Sequence, residues 1–229
     1  MSTITVLYED NHVIAVFKPA GVLSQGDLPA GRQVKQDTML ERVKQYLKEK
    51  YKKPGNVFLG LIHRLDRPVS GIMLFAKTSK GASRLSEQFR NHTIEKTYQA
   101  IVIGRPQKKK GVLINTLGKD EKLKKAKQYD DGQEVRLFYE VIASGSQYSL
   151  LKINIEGGKF HQIRAQLSLA GFPILGDVKY LPAGKQVAHD WNNKKAIALC
   201  ATNISFKAAT EEKMVNVAID VPKEWNAYL

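Results

Sequence analysis

Residues 63–71 read HRLDRPVSG, so one carboxylate, Asp66, stands between two guanidinium side chains, Arg64 and Arg67, just ahead of the apolar run IMLFA. Two chemistries fit that spacing. Asp66 is either a catalytic carboxylate on a loop held by a buried strand, or the acidic half of a structural ion pair. Pro68 biases Arg67 toward an extended backbone and fixes the local path. A second stretch, KFHQIRAQL over 159–167, has helical spacing that sends Ile163, Leu167 and Ala170 to the core, with His161, Arg164 and Ser168 sharing another face. A guanidinium there could hold Asp66 ionised and orient one oxygen. His161 suits a hydrogen-bonded or RNA-contacting role better than that of a base. A third stretch, TYQAIVIG over 97–104, alternates as a strand and puts Tyr98, Ala100 and Val102 on one face. On this spacing alone Tyr98 reads as a core residue.

These residues need a scaffold, and the chain supplies strand signals with a few helices between them. Residues 4–8 and 12–17, separated by Glu9-Asp10-Asn11, predict a hairpin that Lys18-Pro19-Ala20-Gly21 breaks. Residues 24–36 are polar and Gly/Pro-rich, the composition of a mobile loop. Thr38 and Glu41 have capping-box spacing ahead of a helix with Leu40, Val43 and Leu47 on one stripe, ended by Lys53-Pro54-Gly55. Residues 72–76 form an unbroken apolar run, as in a strand buried on both faces. Ser79 opens a second helix with Ala82, Leu85 and Phe89 inward, and a third covers 161–170 with Gly171 as its left-handed cap. Residues 135–143, 148–155, 196–206 and 214–221 are further strands. Ahead of them, after the 97–104 strand, residues 105–132 are rich in Lys and in turn formers, which predicts a basic hairpin or insertion, either a solvated face or a phosphate-gripping arm. The pattern is too irregular for a doubly wound parallel sheet. We expect an α+β fold, one domain over 1–229, with a large mixed, mostly antiparallel sheet and flanking helices.

Composition narrows the chemistry. The 229 residues carry a formal charge of +14, with 36 Lys and Arg against 22 Asp and Glu, a balance that favours a polyanionic partner such as RNA. The one cysteine, Cys200, supports neither a disulfide framework nor a zinc cluster, which fits a reducing, cytoplasmic setting. The N-terminus lacks a basic-then-apolar signal pattern, and no apolar run is long enough to cross a bilayer. A kinase is excluded because the order is His-Arg-Leu-Asp with no glycine-rich nucleotide loop. A zinc deaminase is excluded because Pro-Cys-x-x-Cys is missing.

HRLDRPVSGIMLFAK resembles the signature of the RluA-type pseudouridine synthases, in which His-Arg-Leu-Asp precedes Thr-Ser-Gly and an apolar run. EKTYQAIVIG is similar to that family's next strand, GGKFHQIRAQLSLAGFPILGDVKY to its His-Gln-Ile-Arg helix and Gly-Asp loop, and KPAGVLSQGD to its Lys-Pro-x-Gly segment. The resemblance implies an isomerase acting on uridine in ribosomal or transfer RNA, in a central RNA-binding cleft, without cofactor or metal; for the oligomeric state, which the motifs do not address, we expect a monomer. It implies that Asp66 is the catalytic aspartate, Tyr98 the active-site tyrosine and Arg164 the basic partner of Asp66. Arg64 would help open the RNA, while Lys18, Arg90, Lys96 and His161 would contact it. The chain would be the catalytic domain alone, without the small N-terminal RNA-binding domain of many members. Departures are Val69 for the commonest Thr, Lys159 and Phe160 for Arg-Thr, and Gln166 and Cys200 where His is frequent. The rival from another class is a non-catalytic RNA-binding or ribosome-assembly protein on the same fold.

Overall fold

Asp10 makes the first turn. Its carboxylate accepts the backbone N–H groups of His12 and Val13, both at 2.7 Å, so the chain reverses between β1 (Thr5–Glu9) and β2 (Val13–Lys18). The computed structural model describes residues 4–26, 37–182, 191 and 195–229; the loop predicted over 24–36 lies outside them from residue 27 on. Contacts divide the chain into two compact units, one made of residues up to Ile94 with Ile204–Ile219, the other of Glu95–Asn203 with Asp220–Leu229.

In the first unit, Thr38 caps α1 (Met39–Lys50) by accepting the Glu41 N–H at 3.2 Å, as the capping-box spacing predicts. Its buried stripe is Met39, Val43 and Leu47, so Met39 takes the inward place expected of Leu40. The two-residue β3 (Gly60–Leu61) and β2 both pair antiparallel with β4 (Ser70–Ala76), and every residue of β4 is buried, as its unbroken apolar run requires. Thr78 caps α2 (Ser79–Arg90), which buries Leu85. Val13, Ala15, Ile72, Leu74, Leu85 and Phe206 belong to one apolar core. Glu9 ties β1 to α1 by accepting from Lys77, Lys50 and the Tyr51 hydroxyl at 2.6–2.7 Å. Burial would raise its pKa, but these hydrogen bonds bring it down to about 2.

The second unit is a run of antiparallel pairings. β5 (Glu95–Ile103) pairs with β9 (Tyr148–Ile155), β9 with β8 (Gln133–Ser144), β8 with β6 (Lys110–Asp120), and β6 with β7 (Lys125–Gln128). Residues 105–132 thus contain the β6–β7 hairpin, turned through 121–124 with Lys124 in the left-handed region at φ 52°. β10 (Leu199–Lys207) starts in this unit beside β5 and ends in the first unit, where it neighbours β4 and β11 (Met214–Ala218). The result is the α+β arrangement with a large, mostly antiparallel sheet and few helices.

The third helix, α3 (Gln162–Leu169), departs from the two-faced reading. Gln162, Ile163, Arg164, Ala165, Gln166 and Leu167 are all buried. Polar side chains survive there because each is hydrogen-bonded. Gln166 donates to the Leu113 carbonyl, the Asn115 side chain and the Val135 carbonyl at 2.9–3.3 Å, and Gln162 donates to the Arg136 carbonyl at 3.0 Å. Gln162 therefore fastens α3 to β8, and Gln166 fastens it to both β6 and β8.

Candidate active site

Asp66 opens a turn closed by the Val69 N–H on the Asp66 carbonyl at 3.0 Å, with Arg67 and Pro68 at the corner. The residues on both sides of it are gripped by the KPAGVLSQGD segment. Ser24, 5% exposed, donates its hydroxyl to the Leu65 carbonyl at 2.7 Å and accepts the Leu65 N–H at 3.2 Å. On the far side, the Arg67 carbonyl accepts from the Gly21 N–H at 2.7 Å, and Arg67 Nε donates to the Gly21 carbonyl at 3.0 Å. Gly21 has φ 86°, a conformation that suits glycine. His63 Nε2 accepts the Leu74 N–H at 2.9 Å, which joins the start of the motif to β4. Asp66 itself is half-buried.

Lys18 has a different job from the one expected of it. It is 0% exposed, and its ammonium donates to the carbonyls of Val22 at 2.8 Å, Pro19 at 3.2 Å and Arg67 at 3.2 Å. A buried ammonium spent on three carbonyls does not reach out to a phosphate; it cross-links the two strands of backbone that frame Asp66. Burial pushes its pKa down to about 7, against the pull of the Asp66 carboxylate and with help from the Arg67 charge.

Tyr98 lies in the second unit on β5, opposite Ile153 of β9, and is 8% exposed. Arg164 is 5% exposed and holds a bidentate pair with Asp177, Nε to Oδ2 at 2.7 Å and Nη2 to Oδ1 at 2.8 Å. Its guanidinium also lies 5.0 Å from the Tyr180 ring centroid. Asp177 is 2% exposed, and its only signal in the sequence is an acid after a glycine in GDVKY. His161 sits just before α3 at φ 52°, its Nδ1 2.8 Å from the Tyr180 hydroxyl, so Tyr180 links His161 to Arg164.

The remaining cations differ in availability. Arg64 and Arg90 are exposed, Arg90 in the last turn of α2. Lys96 is half-buried and donates to the Gly157 carbonyl at 2.5 Å, and burial lowers its pKa. Among the described residues no three His, Cys, Asp or Glu side chains gather as a metal site would need. No helix among them is long and apolar enough to cross a membrane.

A family model described as RNA pseudouridylate synthase matches residues 12–169, which takes in the Asp66 turn, Tyr98 and Arg164. The chain belongs to that family. Its members are RNA isomerases, and this enzyme is one of them. It is 33% identical over 218 residues to ribosomal large subunit pseudouridine synthase C of Rickettsia prowazekii, covering 91% of this chain and 67% of that one. With ribosomal large subunit pseudouridine synthase D of Zymomonas mobilis it shares 28% over 225 residues, covering 96% and 69%. Human RNA pseudouridylate synthase domain containing 4 has the same fold, with a TM-score of 0.78 at 21% identity over 97% of this chain and 90% of that one.

Proposed function

We propose that the enzyme converts a uridine of large-subunit ribosomal RNA to pseudouridine, with Asp66 as the catalytic carboxylate, Arg164 as its basic partner and Tyr98 beside the base. The observation that carries this is the Asp66 turn, clamped on both flanks by Ser24, Gly21 and Lys18 within the segment that matches the family. The reaction breaks the bond from N1 to C1′, turns the base and rejoins it through C5. It needs no redox change, so one ionised carboxylate suffices. Asp66 attacks C1′ or C6, or removes the C2′ proton to give a glycal; each route needs the carboxylate held still and charged. Arg164 is the basic partner of Asp66 that the family resemblance implies, and Asp177 holds its guanidinium in a bidentate pair. Tyr98 stacks on the extruded uracil and assists loss of the C5 proton. Arg64 and Arg90 contact phosphates, and His161 lies along the RNA path. The protein works as a cytoplasmic monomer.

Mapping pseudouridines in total RNA from cells with and without the gene tests the substrate. We expect one or a few large-subunit positions to revert to uridine. Loss confined to transfer RNA would overturn the ribosomal assignment, and no loss anywhere would favour a non-catalytic RNA-binding role.

A further inference from the structure

Phe160 is 40% exposed, and a lone exposed apolar side chain ordinarily needs no explanation. This ring is different because its orientation is fixed. It stacks on the His161 imidazole with centroids 3.8 Å apart and planes 17° from parallel. His161 is itself held twice, by its left-handed backbone and by the Tyr180 hydroxyl at 2.8 Å. Tyr180 is 8% exposed, and its hydroxyl accepts the Ala126 N–H of β7 at 2.6 Å. The exposed ring therefore stands on a column that runs down into the second unit.

Two lysines lie against that column. Lys119 Nζ lies 5.5 Å from the Phe160 centroid and also pairs with Glu121 at 2.8 Å. Lys125 Nζ lies 5.7 Å from the Tyr180 centroid. Lys122, Lys124 and Lys127 are exposed on the same hairpin, Lys127 paired with Asp120 at 2.8 Å. A fixed aromatic face with Lys119 over it and further lysines on the adjoining hairpin suits an unstacked nucleobase, the ring taking the base and the ammonium groups the adjoining phosphates.

We propose that Phe160, backed by His161, is a stacking platform for an unpaired base of the substrate RNA, with Lys119 leaving the ring for that nucleotide's phosphate as the base slides on. This rests on the reading of the protein as an RNA-modifying enzyme and adds a contact outside the reacting uridine. The occupant is single-stranded, because a base within an A-form helix does not present its face.

The test measures binding of a fluorescent single-stranded RNA loop to wild type, Phe160→Ala, Phe160→Leu and Phe160→Trp by anisotropy, with thermal midpoints taken alongside. Stacking predicts Kd about tenfold weaker for Phe160→Ala and nearly as weak for Phe160→Leu, which keeps bulk but has no π face. Phe160→Trp should bind as wild type does, with its added fluorescence quenched by RNA, and all midpoints should stay within about 2 °C. Wild-type affinity in Phe160→Leu or Phe160→Ala would overturn the platform while leaving the enzyme assignment intact. A wild-type protein that neither binds RNA nor forms pseudouridine would overturn both.

Discussion

Asp66 gains its meaning from what holds it. Taken alone, an Asp between two Arg residues reads as readily as an ion pair. What singles it out is that both neighbouring carbonyls are gripped, Leu65 by Ser24 and Arg67 by Gly21 and Lys18. Such a clamp costs the fold a buried ammonium, and that cost carries a pH signature. The Lys18 pKa is lowered in the folded state to about 7, mainly by burial, so between about pH 7 and pH 10 the unfolded chain holds a proton that the folded one releases. Stability should rise with pH across that window relative to Lys18→Met and run parallel to it below pH 7. Denaturant titrations of the two proteins from pH 6 to pH 10 would show it. Parallel curves throughout would mean that the three carbonyls and Asp66 keep the ammonium charged. Ser24→Ala should cost about 1–2 kcal/mol in the same titrations, because the buried Leu65 backbone groups lose their partner. Its activity should fall further than that loss of stability explains, if the hydroxyl positions Asp66.

Among the elements, α3 marks where sequence pattern stops being informative. Thr38 and Thr78 caps, the buried run of β4 and the β1–β2 turn follow from residue type and spacing, and each sits within a few residues of its expected place. The two-faced reading of α3 fails because periodicity registers apolar side chains, whereas Gln162, Arg164 and Gln166 are buried by hydrogen-bonding to partners far along the chain. Asp177 was missed for the same reason: a buried ion pair across 13 residues leaves no local trace. Lys18 was misread because lysine is ordinarily a surface residue, and only the carbonyls around it explain its burial. Removing Asp177 tests the pair. Asp177→Ala leaves a buried guanidinium uncompensated and should cost about 3–5 kcal/mol, lowering the thermal midpoint by roughly 10 °C. Asp177→Asn, which keeps one acceptor, should lose less. Equal midpoints in Asp177→Ala and wild type would show that the pair holds nothing in place.

For the whole molecule, the charge of +14 is a statement about binding a polyanion, and the β6–β7 hairpin, with six lysines against Asp120 and Glu121, contributes +4 of it. If its lysines grip phosphates, changing Lys122, Lys124 and Lys127 together to Gln should weaken RNA binding. It should also lower the slope of log Kd against log salt by roughly 2, since each lost contact no longer displaces a counterion. An unchanged slope would make the hairpin a solvated face. The central proposal is that Asp66 performs the isomerisation. Release of tritium from large-subunit RNA labelled at uracil C5 measures it directly. Asp66→Asn protein, folded and binding RNA as wild type does, should release no label above background. Release at the wild-type rate would contradict the account.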